Sequence, residues 1–236
     1  MQLISCHAGK LVRLCSPQAT ITSRSFPTHL PAVDALLPGG TMVCAAVHEI
    51  LYAPSDGPAL FFALLLAGAA TPIANPKPIV FCDPHHLLYP PALAMAGVSL
   101  DQLLLLHPKD SAQEIWALAQ CLACKAVGVT IAAVGRLTAI QARRLQLAAE
   151  HGGGIGILLR PLSATNSNYA AATRWLVQPT TGTPTLQRWK IQLIHGHGGR
   201  IRQTVILEYC RETHHVRAAT ELADRSAQPQ ALRASA

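Results

Sequence analysis

The chain has 236 residues, which is long enough for one large domain with a hydrophobic core. Half of the residues are hydrophobic, 13% are charged and 5% are aromatic, a composition that excludes a disordered or fibrous protein and favours a layered α/β fold. The formal net charge of +7 favours a polyanionic partner such as nucleic acid.

The cysteines and the apolar segments indicate the compartment. Seven scattered cysteines in a chain of this length do not suggest a disulfide framework and fit the reduced thiols of a cytosol. The N-terminus lacks the apolar core of a signal peptide. The longest apolar run, residues 59–73, covers about 15 residues and is too short to span a bilayer. We therefore expect a cytoplasmic protein without membrane contact.

Apolar runs and helical segments alternate along the first two thirds of the chain. Residues 1–30 show little periodicity and are predicted to form a flexible arm. The β-capable runs that follow are apolar on both faces, as in the strands of a parallel sheet that helices cover. The predicted strands are residues 42–51, 78–83, 102–107, 126–135 and 155–160, and the predicted helices are residues 58–70, a short one within 83–98, 111–125 and 138–152.

Local signals define the starts of three helices. Pro58 suits the first helical position, because its missing N–H would be unpaired there in any case. Ser111 with Glu114, and Thr138 with Gln141, have the spacing of capping boxes.

After residue 160 the pattern changes to alternating polar and apolar residues. The segments RWLVQP, RWKIQLIH and IRQTVILEY are predicted to be antiparallel strands at one edge of the sheet, with HGHGGR as the turn between the last two. Residues 211–236 are polar and alanine-rich and are predicted to be disordered. The predicted organisation is an arm of residues 1–30, a domain of residues 31–210 and a tail of residues 211–236.

The segment YAPSDGPAL lies between a predicted strand and a predicted helix, where a phosphate-binding loop would lie. Such a loop needs glycine-rich backbone amides, a lysine for the phosphates and a hydroxyl for Mg²⁺, but the residues after Gly57 supply neither side chain. The fourth strand ends in AAVGRL, without an acid to hold Mg²⁺. A plain turn, weak anion binding at the helix end and a degenerate nucleotide-binding loop all fit this pattern. The loop consists of Ser55, Asp56, Gly57 and Pro58.

No spacing of side chains indicates a metal or redox site. Cys121 and Cys124 form a lone CxxC inside a predicted helix, whereas a zinc site needs four ligands, usually from loops. Six of the eleven histidines occur in three pairs, residues 85/86, 195/197 and 214/215, without a metal-binding motif, and Asp83 is interpreted as a strand-end cap. We expect no metal and no cofactor.

The segment LTAIQARRLQLAAE carries two arginines in an informative position. At about 100° per residue, Arg144 falls in the middle of an apolar helix face and Arg143 lies at its edge. A charge in such a stripe must pair, keep its head in solvent or lie at an interface. Arg143 and Arg144 are the predicted partner-binding residues, with an internal ion pair as the alternative. The apolar members of the stripe are Leu137, Ile140, Leu147 and Ala148.

Basic residues and tryptophans concentrate in the last third. Trp175 and Trp189 each follow an arginine, and arginines interleaved with aromatic side chains suit single-stranded nucleic acid. The alternative is a solvated basic face with tryptophans that fill the core. The predicted DNA-binding residues are Arg160, Arg174, Lys190, Arg200 and Arg202, and Arg188 belongs to the same basic stretch.

These features resemble the ImuA family, the RecA-like accessory proteins of a bacterial translesion-synthesis cassette. The similarity extends over roughly residues 30–210. Its most specific parts are LYPPALAMAGV and RRLQLAAE, and VFCDPHH, GGGIGILLRP and ATRW agree with it. The turn HGHGGR has histidines where the family has arginines.

The resemblance implies a RecA-like core, a mostly parallel sheet flanked by helices, that has lost its ATPase chemistry. Residues 57–59, Gly-Pro-Ala, stand where Gly-Lys-Thr would be. His85 stands near the place of the catalytic glutamate, and Val134 stands near that of the metal-binding aspartate. The resemblance also implies a non-catalytic adaptor in SOS-induced mutagenesis, in the nucleoid-associated cytoplasm. Its implied partners are ImuB, an error-prone C-family DNA polymerase, RecA, and DNA in single-stranded form.

Two other functions remain open at this point. A SulA-like cell-division inhibitor would also resemble RecA, but such chains are shorter and lack the edge strands that follow RRLQLAAE here. The second alternative function is that of a RecA-like ATPase with an atypical phosphate loop. Neighbouring genes for ImuB and a C-family polymerase would favour the adaptor.

Overall fold

The computed structural model describes residues 4–7, 10–13, 24–53, 58–71, 76–86, 88–95, 98–165, 170–196 and 203–219. These residues form thirteen strands and five α-helices. The strands are β1 Ile4–His7, β2 Lys10–Arg13, β3 Ser25–Phe26, β4 Met42–Val43, β5 Ala46–Tyr52, β6 Ile79–Cys82, β7 Leu103–Leu106, β8 Val129–Ala133, β9 Ile155–Pro161, β10 Thr173–Thr180, β11 Leu186–Gly196, β12 Thr204–Cys210 and β13 Val216–Ala218. The helices are α1 Pro31–Asp34, α2 Pro58–Ala70, α3 Pro90–Met95, α4 Ser111–Ala123 and α5 Ala139–Gly152.

Nine of the described strands form one sheet in the order β13-β12-β11-β10-β5-β9-β8-β6-β7. The six strands from β10 to β7 are parallel, and β11, β12 and β13 continue the sheet with antiparallel pairing. The predicted α/β architecture, a mostly parallel sheet with antiparallel strands at one edge, is therefore confirmed. One detail differs: β10, predicted to be antiparallel, pairs in parallel with β5 on one side and antiparallel with β11 on the other.

Helices cover the parallel part of the sheet on both faces. α2 packs on one face, where Phe62 lies in a core with Trp175. α4 and α5 pack on the other face through side chains such as Leu118 and Leu145. Each fully buried side chain of this size contributes about 1.5–3 kcal/mol to folding. None of the described helices is long and apolar enough to cross a membrane.

α4 and α5 approach each other closely where α5 ends. A Cβ on Gly152 would collide with the carbonyl oxygen of Leu122 in α4, so only glycine permits this contact. Gly153 then adopts a left-handed φ of 78° and donates its amide to the Ala149 carbonyl over 2.9 Å, which closes α5. The two helices thus form one layer.

The helix starts agree with one predicted capping box and correct the other. Thr138 and Gln141 exchange the two hydrogen bonds of a capping box at the start of α5, as predicted. At α4, however, the N-cap is Asp110, whose carboxylate accepts the Gln113 amide over 2.8 Å. Ser111 is already helical, so its hydroxyl does not cap the helix, and the predicted Ser111–Glu114 box is wrong.

Described strands lie beyond the predicted limits of the domain on both sides. β3, inside the predicted arm, pairs with β4 in a separate two-stranded sheet, and β13, inside the predicted tail, extends the nine-stranded sheet beside β12. Three predicted features lie outside the described residues: the loop residues Ser55, Asp56 and Gly57, most of the HGHGGR turn, and residues 220–236.

Candidate functional site

The carboxyl edge of the parallel strands is where the degenerate loop was predicted. Pro58 is the first residue of α2, as expected, and the other loop residues lie outside the described part of the chain. Asp83, directly after β6, is buried, and its carboxylate accepts the Leu88 amide over 2.9 Å. Its backbone carbonyl oxygen lies 2.7 Å from Nδ1 of His107. Asp83 therefore organises the loop that follows the strand.

Two residues that the resemblance places at catalytic positions lie at the same edge. Val134 is buried, and its amide donates to the Leu159 carbonyl over 2.9 Å. His85 is exposed and close enough to Glu114 to influence its pKa. Burial raises the pKa of Glu114, while the charge of His85 acts in the opposite direction. Within the described residues, no group of three or more His, Cys, Asp or Glu side chains could hold a metal ion.

A buried ion cluster joins the three central strands of the sheet. Glu49 of β5 accepts Arg160 of β9 on one carboxylate oxygen, over 3.0 Å, and Arg174 of β10 on the other, over 2.7 and 2.8 Å. The three side chains are 0–3% exposed. Further donors reach backbone carbonyls: Arg160 donates to Gly135 over 3.3 Å and Arg174 to Thr165 over 2.7 Å. The cluster therefore ties together β5, β9, β10 and the loops after β8 and β9.

This cluster corrects part of the predicted DNA-binding set. Arg160 and Arg174 were predicted to contact DNA, but both guanidinium groups are buried and held by Glu49. Neither can reach a phosphate without breaking a buried ion pair. The available signal in the sequence was Glu49 itself, a lone acid in the apolar run MVCAAVHEIL.

A second buried network, not predicted from the sequence, surrounds His48 on the opposite face of β5. Trp175 Nε1 donates to the Thr173 hydroxyl over 2.9 Å, and that oxygen lies 2.8 Å from His48 Nδ1. His48 Nε2 lies 3.0 Å from the Val43 carbonyl, which can only accept a hydrogen bond. A neutral imidazole with its proton on Nε2 therefore satisfies every partner. Burial lowers the pKa of His48 to about 4, which agrees with the neutral form.

The antiparallel strands present a basic surface on the face opposite to α2. Along β11, Trp189 and Ile191 point into the core, so Arg188 and Lys190 point to the other face, where both are exposed. Glu208 of β12 lies opposite Arg188 and opposite Arg217 of β13. We call Arg188, Lys190, Glu208 and Arg217 the basic face.

Glu208 links the two arginines of the basic face. It accepts Arg188 over 2.6–2.7 Å and Arg217 over 3.1 Å. Burial alone would raise the pKa of Glu208, but the hydrogen bonds and charges of the two arginines together lower it by more, so the pKa lies below its usual value. With one ionised acid among three cations, the basic face carries a net charge of +2.

The predicted DNA-binding residues thus separate into three groups. Lys190 lies on the basic face, Arg160 and Arg174 are buried, and Arg200 and Arg202 lie outside the described residues.

The predicted aromatic partners of a nucleic acid lie elsewhere. Trp175 and Trp189 are 0% and 3% exposed and fill the core, which was the alternative interpretation of their sequence pattern. The basic face therefore offers cations without stacking rings.

The outer side of α5 carries the predicted partner-binding arginines. Arg143 and Arg144 are exposed, and Arg143 lies 3.7 Å from Glu150. Their apolar neighbours Ile140 and Leu147 are 81% and 47% exposed. We call Ile140, Arg143, Arg144 and Leu147 the α5 surface.

The apolar stripe predicted on this helix lies only partly in the core, because Leu137 is buried and Ala148 packs against the core while Ile140 and Leu147 are exposed. The face that packs on the sheet consists instead of Ala142, Leu145, Gln146 and Ala149. Arg144 therefore needs no buried partner. On the neighbouring helix α4, Trp116 is 56% exposed.

The comparisons with known proteins agree with the resemblance seen in the sequence. No protein-family model matches the chain. The chain is 26% identical over 191 residues to Protein ImuA from two strains of Caulobacter vibrioides, and the match covers 72% of this chain and 78% of each relative. Together with the motifs LYPPALAMAGV and RRLQLAAE, these two matches support membership of the chain in the ImuA family.

Proposed function

We propose that this protein is a non-catalytic accessory protein of SOS-induced translesion DNA synthesis, which acts in the cytoplasm on the nucleoid. In this proposal it is an adaptor that works with ImuB and an error-prone C-family DNA polymerase, and that contacts RecA and single-stranded DNA. The observation that carries the proposal is the similarity to Protein ImuA over 72% of the chain.

The strand order supports a RecA-like core as part of this proposal. The degenerate loop follows β5, and β9 lies between β5 and β8 in the sheet. A working ATPase would need a metal-binding acid at the end of β8. The chain has Val134 there and Pro58-Ala59 in place of a lysine and a hydroxyl. We therefore expect no ATP hydrolysis. Steady turnover by purified protein that Gly57→Pro abolishes would contradict a non-catalytic role.

The basic face is the proposed DNA interface. Its cations follow one another across β11 and β13, and the acid between the arginines fixes their positions. Lys190→Glu should weaken the binding of single-stranded DNA and make it less dependent on salt, because fewer counterions are released. Lys125→Glu is the matched control, since Lys125 is an exposed lysine in the turn after α4. Equal losses in both variants would show that net charge, and not this face, determines binding.

The α5 surface is the proposed contact with a protein partner. Ile140 and Leu147 offer exposed apolar area, and Arg144 offers a charge that an acidic partner can pair. Pairwise pull-downs with ImuB and with RecA should show which partner is lost in Ile140→Asp and Arg144→Glu. Lys125→Glu again controls for charge. If both α5 variants fold and retain every partner, this surface is not the contact.

A further inference from the structure

The nine-stranded sheet ends in two edge strands of different character. β7 consists of four leucines, Leu103–Leu106, and the described residues pair it with β6 alone. Edge strands of soluble proteins usually carry a charge, a proline or a bulge that prevents pairing with another chain. β13, at the other edge, has three residues and carries Arg217, whose side chain is 70% exposed. β7 has no such protection.

Apolar side chains are exposed on β7 and beside it. Leu104 is 51% exposed on the strand, and Leu100, in the turn that precedes the strand, is 43% exposed. Tyr89, one residue before α3, is 67% exposed, and α3 contacts the same turn. Exposed apolar side chains at an unprotected strand edge are typical of a surface that another protein covers.

The backbone of β7 offers hydrogen-bonding groups at this edge. The Asp83 amide donates to the Leu106 carbonyl over 2.8 Å, so the backbone of Leu106 faces β6. Because successive residues of a strand direct their backbone groups to opposite sides, those of Leu105 face away from β6. Within the described part of the chain, nothing bonds to the amide or the carbonyl of Leu105 on that side. Leu105 can therefore exchange two hydrogen bonds with a further strand.

We propose that the β7 edge pairs with the β7 edge of a second copy of this chain, in an antiparallel arrangement around a two-fold axis at Leu105. The two Leu105 residues then exchange both backbone hydrogen bonds, and Leu104 of each copy lies opposite Leu106 of the other. The two nine-stranded sheets join into one. The proposed function neither requires nor excludes such a dimer.

The charges on either side of β7 favour a second copy in this register. Asp101 lies four residues before Leu105 and Lys109 lies four residues after it, and both are exposed. Rotation about an axis at Leu105 therefore brings Asp101 of each copy opposite Lys109 of the other. An axis at Leu104, the next one that the backbone pattern allows, would bring Asp101 opposite His107 instead. A partner with charges of one sign would match only one end of the strand.

Sedimentation velocity over a range of protein concentrations tests the dimer. The unaltered protein should convert from a chain of 25.1 kDa to a species of twice that mass as the concentration rises. Leu104→Lys should keep the protein monomeric, because each copy then sets a charge against Leu106 of the other, and the exposed position lets the variant fold. An unaltered protein that stays monomeric up to its solubility limit would overturn the proposal. A dimer that survives Leu104→Lys would place the contact elsewhere on the molecule.

Charge reversal tests the register. Lys109→Glu and Asp101→Lys should each weaken the dimer about tenfold, because each variant sets like charges against each other twice in one dimer. The double variant, Asp101→Lys with Lys109→Glu, should restore the dimer. Lys125→Glu, at an exposed lysine in the turn after α4, is the matched control. A double variant that stays as weak as the single ones would reject antiparallel pairing around Leu105.

Cysteine cross-linking gives a second readout of the register. Under mild oxidation, a mixture of Asp101→Cys and Lys109→Cys should give a disulfide-linked dimer. Either variant alone should give no more dimer than the unaltered protein, which has seven cysteines of its own. The reason is that identical positions of the two copies lie eight residues apart along the paired strands, or about 27 Å. A cross-link formed by either variant alone would contradict the proposed pairing.

A chain that ends at Ala219 separates β7 pairing from an exchange of the last residues between copies. If residues 220–236 of one copy covered the edge of the other, this shorter chain would be monomeric, and β7 pairing would be wrong. If it dimerises as the full chain does, and loses the dimer on Leu104→Lys, the contact is β7 itself.

Discussion

At the scale of single residues, the ion cluster around Glu49 dominates the structure. One carboxylate serves two buried guanidinium groups, so the cluster keeps one excess positive charge inside the protein, compensated by two backbone carbonyls. Burying charges costs several kcal/mol per ion, and only complete pairing offsets that cost. Removing one partner should therefore destabilise the fold far more than an exposed pair would.

We predict that Glu49→Gln lowers the free energy of unfolding by about 3–5 kcal/mol, because it leaves two like charges buried together. Glu150→Gln, which removes the exposed partner of Arg143, should cost less than about 1 kcal/mol. Urea unfolding of both variants measures the difference. A loss at Glu49 as small as that at Glu150 would mean that solvent reaches the cluster.

His48 should make stability depend on pH. Its pKa is about 4 in the folded protein and 6.5 when unperturbed, so the unfolded chain binds more protons between these values. Stability is therefore complete above pH 6.5 and falls as the pH decreases through this window. Between about pH 7.5 and pH 5 this histidine alone should account for a loss of about 2 kcal/mol.

His48→Gln should remove that contribution and flatten the pH dependence of unfolding, whatever its effect on stability at neutral pH. His151→Gln, at an exposed position, is the matched control. An unchanged pH profile in His48→Gln would show that His48 titrates normally.

At the residue scale, local signals were predictable and distant partners were not. The Thr138 capping box and the role of Asp83 as a strand-end cap depend on neighbours within a few residues, and the structure shows both. The partners of Glu49 lie 111 and 125 residues away, so no local pattern could identify them.

At the scale of elements, α5 shows why an apolar stripe can mislead. Its buried face is built largely from small or polar side chains, and Gln146 accepts the Val47 amide of β5 over 2.9 Å. Small residues bring a helix close to a sheet but give a weak hydrophobic signal, whereas Ile140 and Leu147 give a strong one from the exposed side. The misplaced stripe is thus a property of a helix with apolar residues on two sides.

The N-terminus of α4 provides a test at the same scale. Asp110→Ala should lower the free energy of unfolding by about 1 kcal/mol, because the Gln113 amide loses its acceptor. Ser111→Ala should change the free energy of unfolding by only a few tenths of a kcal/mol, since Ser111 is already helical and alanine favours helices. Thermal unfolding of the two variants compares them, and a larger loss at Ser111 would restore the capping box predicted there.

At the scale of the whole molecule, the sequence predicted the strands but not all of their neighbours. Apolar runs identified β5, β6, β7, β8 and β9 and their parallel arrangement. β10 lies beside β5, where Arg174 pairs with Glu49 and Trp175 packs against Phe62. From the sequence alone, Arg174 and Trp175 resemble surface residues of an edge strand. Strands that are more than a hundred residues apart give no periodic pattern in the sequence from which their pairing could be predicted.

We predict that a chain ending at Thr165 does not fold cooperatively. It would lack β10 to β13, leave Glu49 with one of its two arginines and remove Trp175 from its edge-on contact with Phe62, 5.7 Å between ring centroids. A chain ending at Ala219 keeps every described strand and is the matched control. Circular dichroism during heating should show a single transition only in the control, and a transition in both would make the last third a separable module.

The tryptophans described above fall into two groups that differ in their fluorescence. Trp116 is 56% exposed on α4, and Trp175 and Trp189 are 0% and 3% exposed in the core, with no further tryptophan in the sequence. Iodide should therefore quench only the emission of Trp116, at the red side of the spectrum. A protein bound near the α4–α5 layer would protect that emission, whereas a ligand on the opposite face of the sheet, beside α2, would leave it unchanged. One cuvette experiment could thus distinguish which side of the molecule a ligand occupies.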